Sequence, residues 1–412
     1  MKVCLSVAFA SNPETGGRST FESQIFAGIK EFSSESKHAF VLFNKTSLKK
    51  PVQDILPNPA LSSSRSKSFD AKLDSRVSKP SQKIKILKQL RNVVERNKYL
   101  REGYGRFVLH ALRNSKVDVV LALTPSVLTM EIPFILIVWD LEHRRHPYFS
   151  EVGALREYEE RETFYSTSLR RASAIITGTQ AGKADIERFY QVSPERIKVL
   201  PFPTPHFALK ASPTDDRLVL EKYNLQENFL FYPAQFWSHK NHIGLLLAVQ
   251  WLRDQHSLNL SVVFAGSDKG NQAYVEQMAA KLNLSKQVYF LGFVPQEDLI
   301  SLYRKAFALT FLTFFGPDNL PPLEAMALGC PVIASNVAGA QEQLGDAALL
   351  VDPKETEQIA LAIKYLWDNE AFRQGLIDRG FLRANSWVTK DYINGLFSIL
   401  DEFETIRRCW ST

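Results

Sequence analysis

Short apolar runs of strand length alternate with amphipathic stretches along most of the chain. In the second half the runs are "NFLFYPAQ", "LNLSVVFAG", "QVYFLGF", "AFALTFLTFF", "CPVIAS" and "AALLVD", followed by helical stretches such as "HKNHIGLLLAVQWLRD" and "EDLISLYRKA". That order predicts βαβ units. The runs are continuously apolar rather than alternating, which predicts strands covered on both faces, as in a parallel doubly wound α/β sheet. The first half repeats the theme through "KVCLSVAFA", "HAFVLFN", "VDVVLALT", "FILIVWD", "AIITGT" and "IKVLPF", with helices after Gly17, before Val117, across 151–171 and from Lys183. A Ser/Pro/Lys-rich stretch, 46–81, interrupts it as a loop or mobile insertion. Prolines cluster over 201–213 and mark a hinge between a first domain, 1–205, and a second, 206–387, while the final helical segment, about 388–412, has either lobe open to it. Two such lobes place ligands where the carboxyl ends of their sheets meet.

Composition narrows the class. With 412 residues, 45% hydrophobic and 23% charged, the chain has the ordinary make-up of a two-domain globular protein. No segment approaches the roughly 20 consecutive apolar residues of a membrane span, and "MKVCLSVAFA" reads as a first strand rather than a leader, so a cytoplasmic protein is expected. Cys4, Cys330 and Cys409 are widely separated and predict buried thiols rather than disulfides or a metal cluster. The net charge of +6 is uneven, for 65–106 carries thirteen Lys/Arg against four Asp/Glu. Within it Ile84, Leu87, Leu90, Val94 and Leu100 recur at roughly helical spacing beside the cations. That pattern suits an anionic membrane surface first and a solvated face next, with nucleic acid last for want of a recognition motif.

Four stretches carry candidate chemistry. In "GPDNLPPLEAMALGCPVIAS" Pro321 and Pro322 suit first helical positions, Asn319 a cap and Gly329 a stop. The start of that helix, near Leu320, offers N–H groups including those of Leu323 and Glu324 to a phosphate, and Glu324 in its first turn can accept bonds from vicinal hydroxyls or simply complement the helix dipole. In "YPAQFWSHKN" a strand ends near Ala234 and a helix begins near Asn241, leaving Gln235, His239 and Lys240 in a loop where Lys240 is a cation for a diphosphate. Gly16 and Gly17 stand between the first strand and a helix, without the spacing of a dinucleotide fingerprint or a P-loop. In "FILIVWDLEHRRHP" Asp140, Glu142, His143 and His146 crowd a strand end; orientation of a hydroxyl nucleophile by Asp140 or His143 is expected ahead of metal ligation, because no further ligand follows at diagnostic spacing.

Together, "FYPAQFWSHKNH", "VVFAGS", "YFLGFVPQEDLISLYRKA", "LPPLEAMALGCPVIASN" and "GDAALLVDP" resemble the nucleotide-binding lobe of family 4 of the retaining glycosyltransferases. The match covers most of 229–369. The first lobe resembles the family more thinly, through "GGRSTFESQIFAGI", "VWDLEHRRHP" and "AIITGTQAGKADIERFYQVSPERIKVLPFP". The resemblance implies the GT-B fold, two Rossmann-like domains facing each other across a cleft. It also implies transfer of a hexose, with mannose favoured, from a GDP- or UDP-linked donor to a lipid-linked or saccharide hydroxyl, with retention and without metal or other cofactor. Lys240 would then hold the donor diphosphate, Glu324 the ribose hydroxyls and Leu320 to Leu323 the phosphates, while Gly17 approaches from the other lobe. Gln235, Gly266, Asp318 and Asn319 would complete the donor contacts. Two departures stand out: Gly316 occupies the position of the family's first glutamate, and Gln235 that of an arginine. The first departure keeps a second expectation open, a nucleotide-sugar-binding scaffold without transfer activity. The variant is similar to a subgroup among surface-polysaccharide transferases that resemble mannosyltransferases, so a role in surface polysaccharide or lipopolysaccharide synthesis is expected, with the basic segment placing this chain at the inner membrane face.

Overall fold

In the computed structural model, residues 1–7, 17–43, 51–55, 98–212 and 215–410 are described. Two sheets organise the chain. The first has seven strands in the order β3-β2-β1-β4-β5-β6-β7 and the second six in the order β10-β9-β8-β11-β12-β13. The first seven are Lys2–Ser6, Ala39–Phe43, Val52–Asp54, Val119–Ala122, Phe134–Ile137, Ala174–Thr177 and Ile197–Val199. The remaining six are Leu230–Pro233, Val262–Ala265, Val288–Phe290, Ala308–Phe311, Val332–Ser335 and Leu349–Val351. Every pairing is parallel except that of β3 with β2.

The unbroken apolar runs have a direct cause. Successive residues of the first sheet feed opposite faces. Val3, Leu5, Val119, Leu121, Ile135 and Ile137 pack beneath the helices Gly17–Phe32 and Thr389–Arg407, whereas Cys4, Val41, Val120, Ala122, Leu136 and Ile175 pack with residues of the helices Lys98–Asn114, Glu157–Arg171 and Gln180–Tyr190. Both faces are covered, so the strands are almost wholly apolar, with Ser6 and Thr177 the buried polar residues at the ends of β1 and β6. The second lobe repeats the design around one core from Ala208 to Ala384.

The chain passes between the lobes twice. Its outward crossing follows β7, and its return ends in the helix Thr389–Arg407, whose Tyr392, Ile393, Leu396 and Leu400 join the core of the first lobe. Where the crossings meet, Trp387 Nε1 donates to the Pro201 carbonyl at 2.7 Å, and Gln24 Nε2 donates both to the Thr204 carbonyl and to Thr389 Oγ1.

Two expectations need correction, and a third falls mostly outside the described residues. Within 46–81, Val52–Asp54 is a strand rather than loop, too short to show any periodicity and paired antiparallel to β2. The helix expected across 151–171 is two helices, Ser150–Gly153 and Glu157–Arg171, because Leu155 and Arg156 take left-handed backbone angles (φ 53° and 69°) that no helix accommodates. The basic segment 65–106 lies outside the described residues up to residue 97 and from there continues as the helix Lys98–Asn114. Among the described residues no helix is long and apolar enough to cross a membrane.

Candidate functional site

The second sheet reverses its winding between β8 and β11, the place where a doubly wound sheet opens a crevice beyond its strand ends. The loop leaving β8 carries Lys240 at the end of a 3-10 turn, Ser238–Lys240. Tyr232 OH donates to the Lys240 carbonyl, and Asn241, in the left-handed region, caps the helix His242–His256 by accepting from Gly244 N–H at 3.1 Å. The Lys240 ammonium thereby rests 4.9 Å from the centre of the Phe311 ring at the end of β11. Among the described residues it has no carboxylate at ion-pair distance. Burial lowers its pKa to about 8, while Asp140 and Glu151, both from the first lobe, favour its charge.

The loop leaving β11 brings Glu324 to the same crevice. The helix spans Leu320–Ala327 with Pro321 and Pro322 in its first turn, and Glu324 stands at the start of the second turn rather than in the first. Its carboxylate is buried and accepts a 2.8 Å bond from Tyr303 OH. Burial pushes its pKa up to about 7, with the Tyr303 bond pulling the other way.

The helix start differs from expectation in its donors. A helix beginning at Leu320 takes the N–H groups of Leu323 and Glu324 into its own ladder. Pro321 and Pro322 have none, and Asn319 N–H is donated to Gln343 Oε1 at 3.1 Å. Leu320 N–H is what remains for an anion. Asn319 occupies the cap position without capping, since its side chain turns back to donate to the Gly316 carbonyl at 2.7 Å. Gly316 itself has φ of +123°, and a Cβ there would lie 2.9 Å from the Asn319 amide. A glutamate at 316 would be strained in this backbone, which explains the departure physically.

Asp318 is engaged within the chain, between the two lobes. It accepts from Gln343 Nε2 at 2.7 Å and from Phe202 N–H at 3.4 Å, and it reaches so close to Gly178 that any side chain there would collide with it. Burial raises its pKa to about 8. Leu323 contributes its side chain to the second core, and Leu320 to the first, where it faces Gly17. Gly16 lies outside the described residues. Gln235 donates to Ser267 Oγ and accepts from Trp237 Nε1, and Gly266 N–H donates to the Gly292 carbonyl, so both shape the floor beside the β8 loop.

Across the crevice the first lobe presents a paired charge network. Burial opposes ionisation of Asp140, but its bond with Arg161 and the Glu142 N–H bond at 3.0 Å hold its pKa below the usual carboxylate value. Its side chain is 30% exposed, so it can meet a ligand. His143 cannot in this state, and the hydroxyl-orienting role expected of it is corrected here. Its side chain is fully buried, stacked on Tyr165, with Nε2 at 3.2 Å from Tyr190 OH, and burial lowers its pKa to about 4. Glu142 and His146, weighed as metal ligands, are bound to each other at 2.6 Å.

Several contacts close the lobes on one another through residues that no local pattern marks. Glu151 reaches His239, Phe149 packs on Phe314 and Phe315, and Glu342 accepts from Gln180 N–H with both oxygens at 2.8 Å at the start of the helix Gln180–Tyr190. Tyr303, Gln343 and Arg161 were equally silent, since each acts through a partner distant in sequence.

Known proteins resemble the chain in sequence and in fold. Residues 219–383 match the family model "Glycosyl transferases group 1". The chain is 29% identical over 223 residues to O-antigen chain mannosyltransferase B of Escherichia coli, covering 53% of this chain and 58% of that one. It is 30% identical over 198 residues to O-antigen chain mannosyltransferase RfbU of Salmonella typhimurium, covering 48% and 52%. The matches thus span between half and three fifths of these relatives' lengths. Anabaena Alr3699/HepE, solved in complex with UDP and glucose, superposes with a TM-score of 0.64 at 17% identity over 98% of this chain and 100% of its own. The chain has the GT-B fold, and it is its second lobe that matches the glycosyl transferases group 1 model.

Proposed function

We propose that the protein is a retaining glycosyltransferase that moves a hexose, with mannose favoured, from a nucleoside diphosphate sugar to a hydroxyl of a lipid-linked or saccharide acceptor in surface polysaccharide synthesis. One observation carries the reading. At the switch point of the second sheet, a largely buried ammonium that has no carboxylate partner among the described residues and a buried carboxyl bonded to Tyr303 flank one crevice. Groups so disposed gain from a ligand that brings an anion to one and hydroxyls to the other, as a ribose diphosphate does. Departure of the nucleotide builds charge on the phosphates. Lys240 and the Leu320 N–H stand where that charge grows, so the chain's own residues stabilise the leaving group without a metal. Closure of the lobes excludes water that would otherwise hydrolyse the donor. Asp140, held ionised by Arg161, is the first-lobe group placed to receive the acceptor hydroxyl. The mannosyltransferase names of the relatives support the sugar, and the UDP complex of a fold neighbour supports a nucleotide-linked donor.

The second reading, a nucleotide-sugar-binding scaffold of an assembly complex, is favoured by a specific observation. Gly316 offers no carboxylate, and Asp318 and Asn319 are engaged within the chain. A panel of GDP- and UDP-hexoses with lipid-linked saccharide acceptors separates the two. Product formation supports transfer; donor binding with no product under any pairing supports the scaffold. Contact with the inner face of a membrane through 65–106 belongs to the same proposal, supported by the local charge excess. Flotation with anionic vesicles tests it, and charge reversal at Lys83, Lys85, Lys88 and Arg91 that leaves binding intact removes it.

A further inference from the structure

The turn that carries Lys240 is gripped from two sides. Its own lobe holds the carbonyl face of His239, to which Phe314 N–H donates at 2.8 Å and Thr313 Oγ1 at 3.3 Å. The first lobe holds the opposite face. One oxygen of Glu151, Oε1, lies 2.8 Å from the His239 N–H and 2.5 Å from its ring Nδ1. The two side chains are 5% and 11% exposed, so this charge-assisted pair is shielded from water. Stacking on Phe315 at 4.0 Å and the edge of Phe149 fix the ring further. Burial keeps the imidazole neutral, with a pKa lowered to about 4, and a carboxylate acceptor selects its Nδ1–H tautomer.

These two grips respond differently to opening. The bonds to the His239 carbonyl lie within one lobe and persist, whereas Glu151 and Phe149 depart with the first lobe. Lys240 is the next residue in the same turn. We propose that Glu151 is a positioning residue that makes presentation of the Lys240 ammonium depend on closure of the two lobes. The inference rests on the donor-binding role given to Lys240 above. It sets the order of events: the cation reaches its working position only in a cleft already shut against water.

The test uses the full chain as wild type, Glu151→Ala, Glu151→Gln and Lys240→Ala, with the Glu151→Ala/Lys240→Ala double variant. Its first arm needs no activity. Acetic anhydride modifies exposed amines, and peptide mapping gives the rate at Lys240. Glu151→Ala is expected to raise that rate by about threefold or more as the closed state loses population, while Glu151→Gln, whose amide oxygen still accepts both bonds, stays near wild type. Equal rates in wild type and Glu151→Ala overturn the proposal. In the second arm, Glu151→Ala lowers kcat with a GDP- or UDP-hexose by about tenfold and changes donor KM little. Because Glu151 acts through Lys240, its loss is expected to cost almost nothing more in the Lys240→Ala background, and a full additional loss there overturns the role. Should Glu151→Ala melt at the working temperature, Glu151→Asp, one methylene shorter, takes its place with the same expectations. A wild type that turns over no nucleotide sugar defeats the proposed function alone, since the labelling arm still decides this one.

Discussion

The two walls of the crevice handle charge in opposite ways. On the first lobe the charged groups beside the crevice are matched within the chain, Asp140 to Arg161, Asp185 to both ends of the Arg145 guanidinium and Glu162 to Arg144, while Glu142, whose pKa burial raises to about 8, is bonded to His146. On the second lobe Lys240 leans on the Phe311 ring and Glu324 on one hydroxyl, both neutral neighbours. Removing a charge from water costs free energy unless a partner restores the interaction. The second wall therefore waits for that partner, and the first is already satisfied. What this teaches is a division of labour, in which one lobe binds by what it lacks and the other shapes and closes by what it has.

The largest expected effect tests the unmatched cation. Lys240→Ala lowers kcat/KM for the donor by about 10²–10³-fold, the scale of removing one preorganised group that faces developing charge, and leaves cooperative melting intact. If the loss is small, the walls do not differ as described. Next comes the unmatched carboxyl. Its pKa is about 7 in the folded chain against an ordinary 4.5, so the folded state keeps a proton that the unfolded state releases. Stability from this group is full below about pH 4.5 and falls as pH rises through about 7. Donor hydroxyls bond to the ionised form. Affinity measured by calorimetry is thus expected to rise by about tenfold between pH 5.5 and 7.5 and to become flat in Glu324→Gln; a flat wild-type profile breaks the comparison. The smallest effect concerns the loop joining the two ideas. Gly316→Ala is expected to lower stability by about 1–3 kcal/mol in denaturant unfolding, from its backbone angle and the crowding of Asn319, and an unchanged midpoint would mean that the loop relaxes freely.

The same contrast explains what could be seen in the sequence. Strand after strand was legible because a sheet covered on both faces requires runs such as "VVFA" and "FILI", and two prolines followed by Glu324 marked a helix start beside a carboxylate. Lys240 was legible because it follows a strand and precedes a helix. The pairing partners were not. Tyr303 meets Glu324 across 21 positions and Glu151 meets His239 across 88, and no local pattern encodes such distances. For the same reason His143 looked available when it is buried beneath Tyr165, and Asp318 looked like a ligand group when it is a contact between lobes. The helix starts at Leu320 as read, but its free N–H groups were overcounted: Leu323 and Glu324 already lie inside the ladder, the two prolines carry no N–H, and Gln343, distant in sequence, takes that of Asn319.

The helix Thr389–Arg407 returns to the first lobe after the second is complete. The second lobe is therefore an insert tethered at both its ends to the same body, and the two tethers, 200–206 and 385–389, are bonded to each other. Two strings in place of one hold the two walls of the crevice to each other along one edge. They also mean that cutting away the last nineteen-residue helix would unroof Phe21, Ile25 and Ile29 on the opposite lobe rather than trim the nearer one.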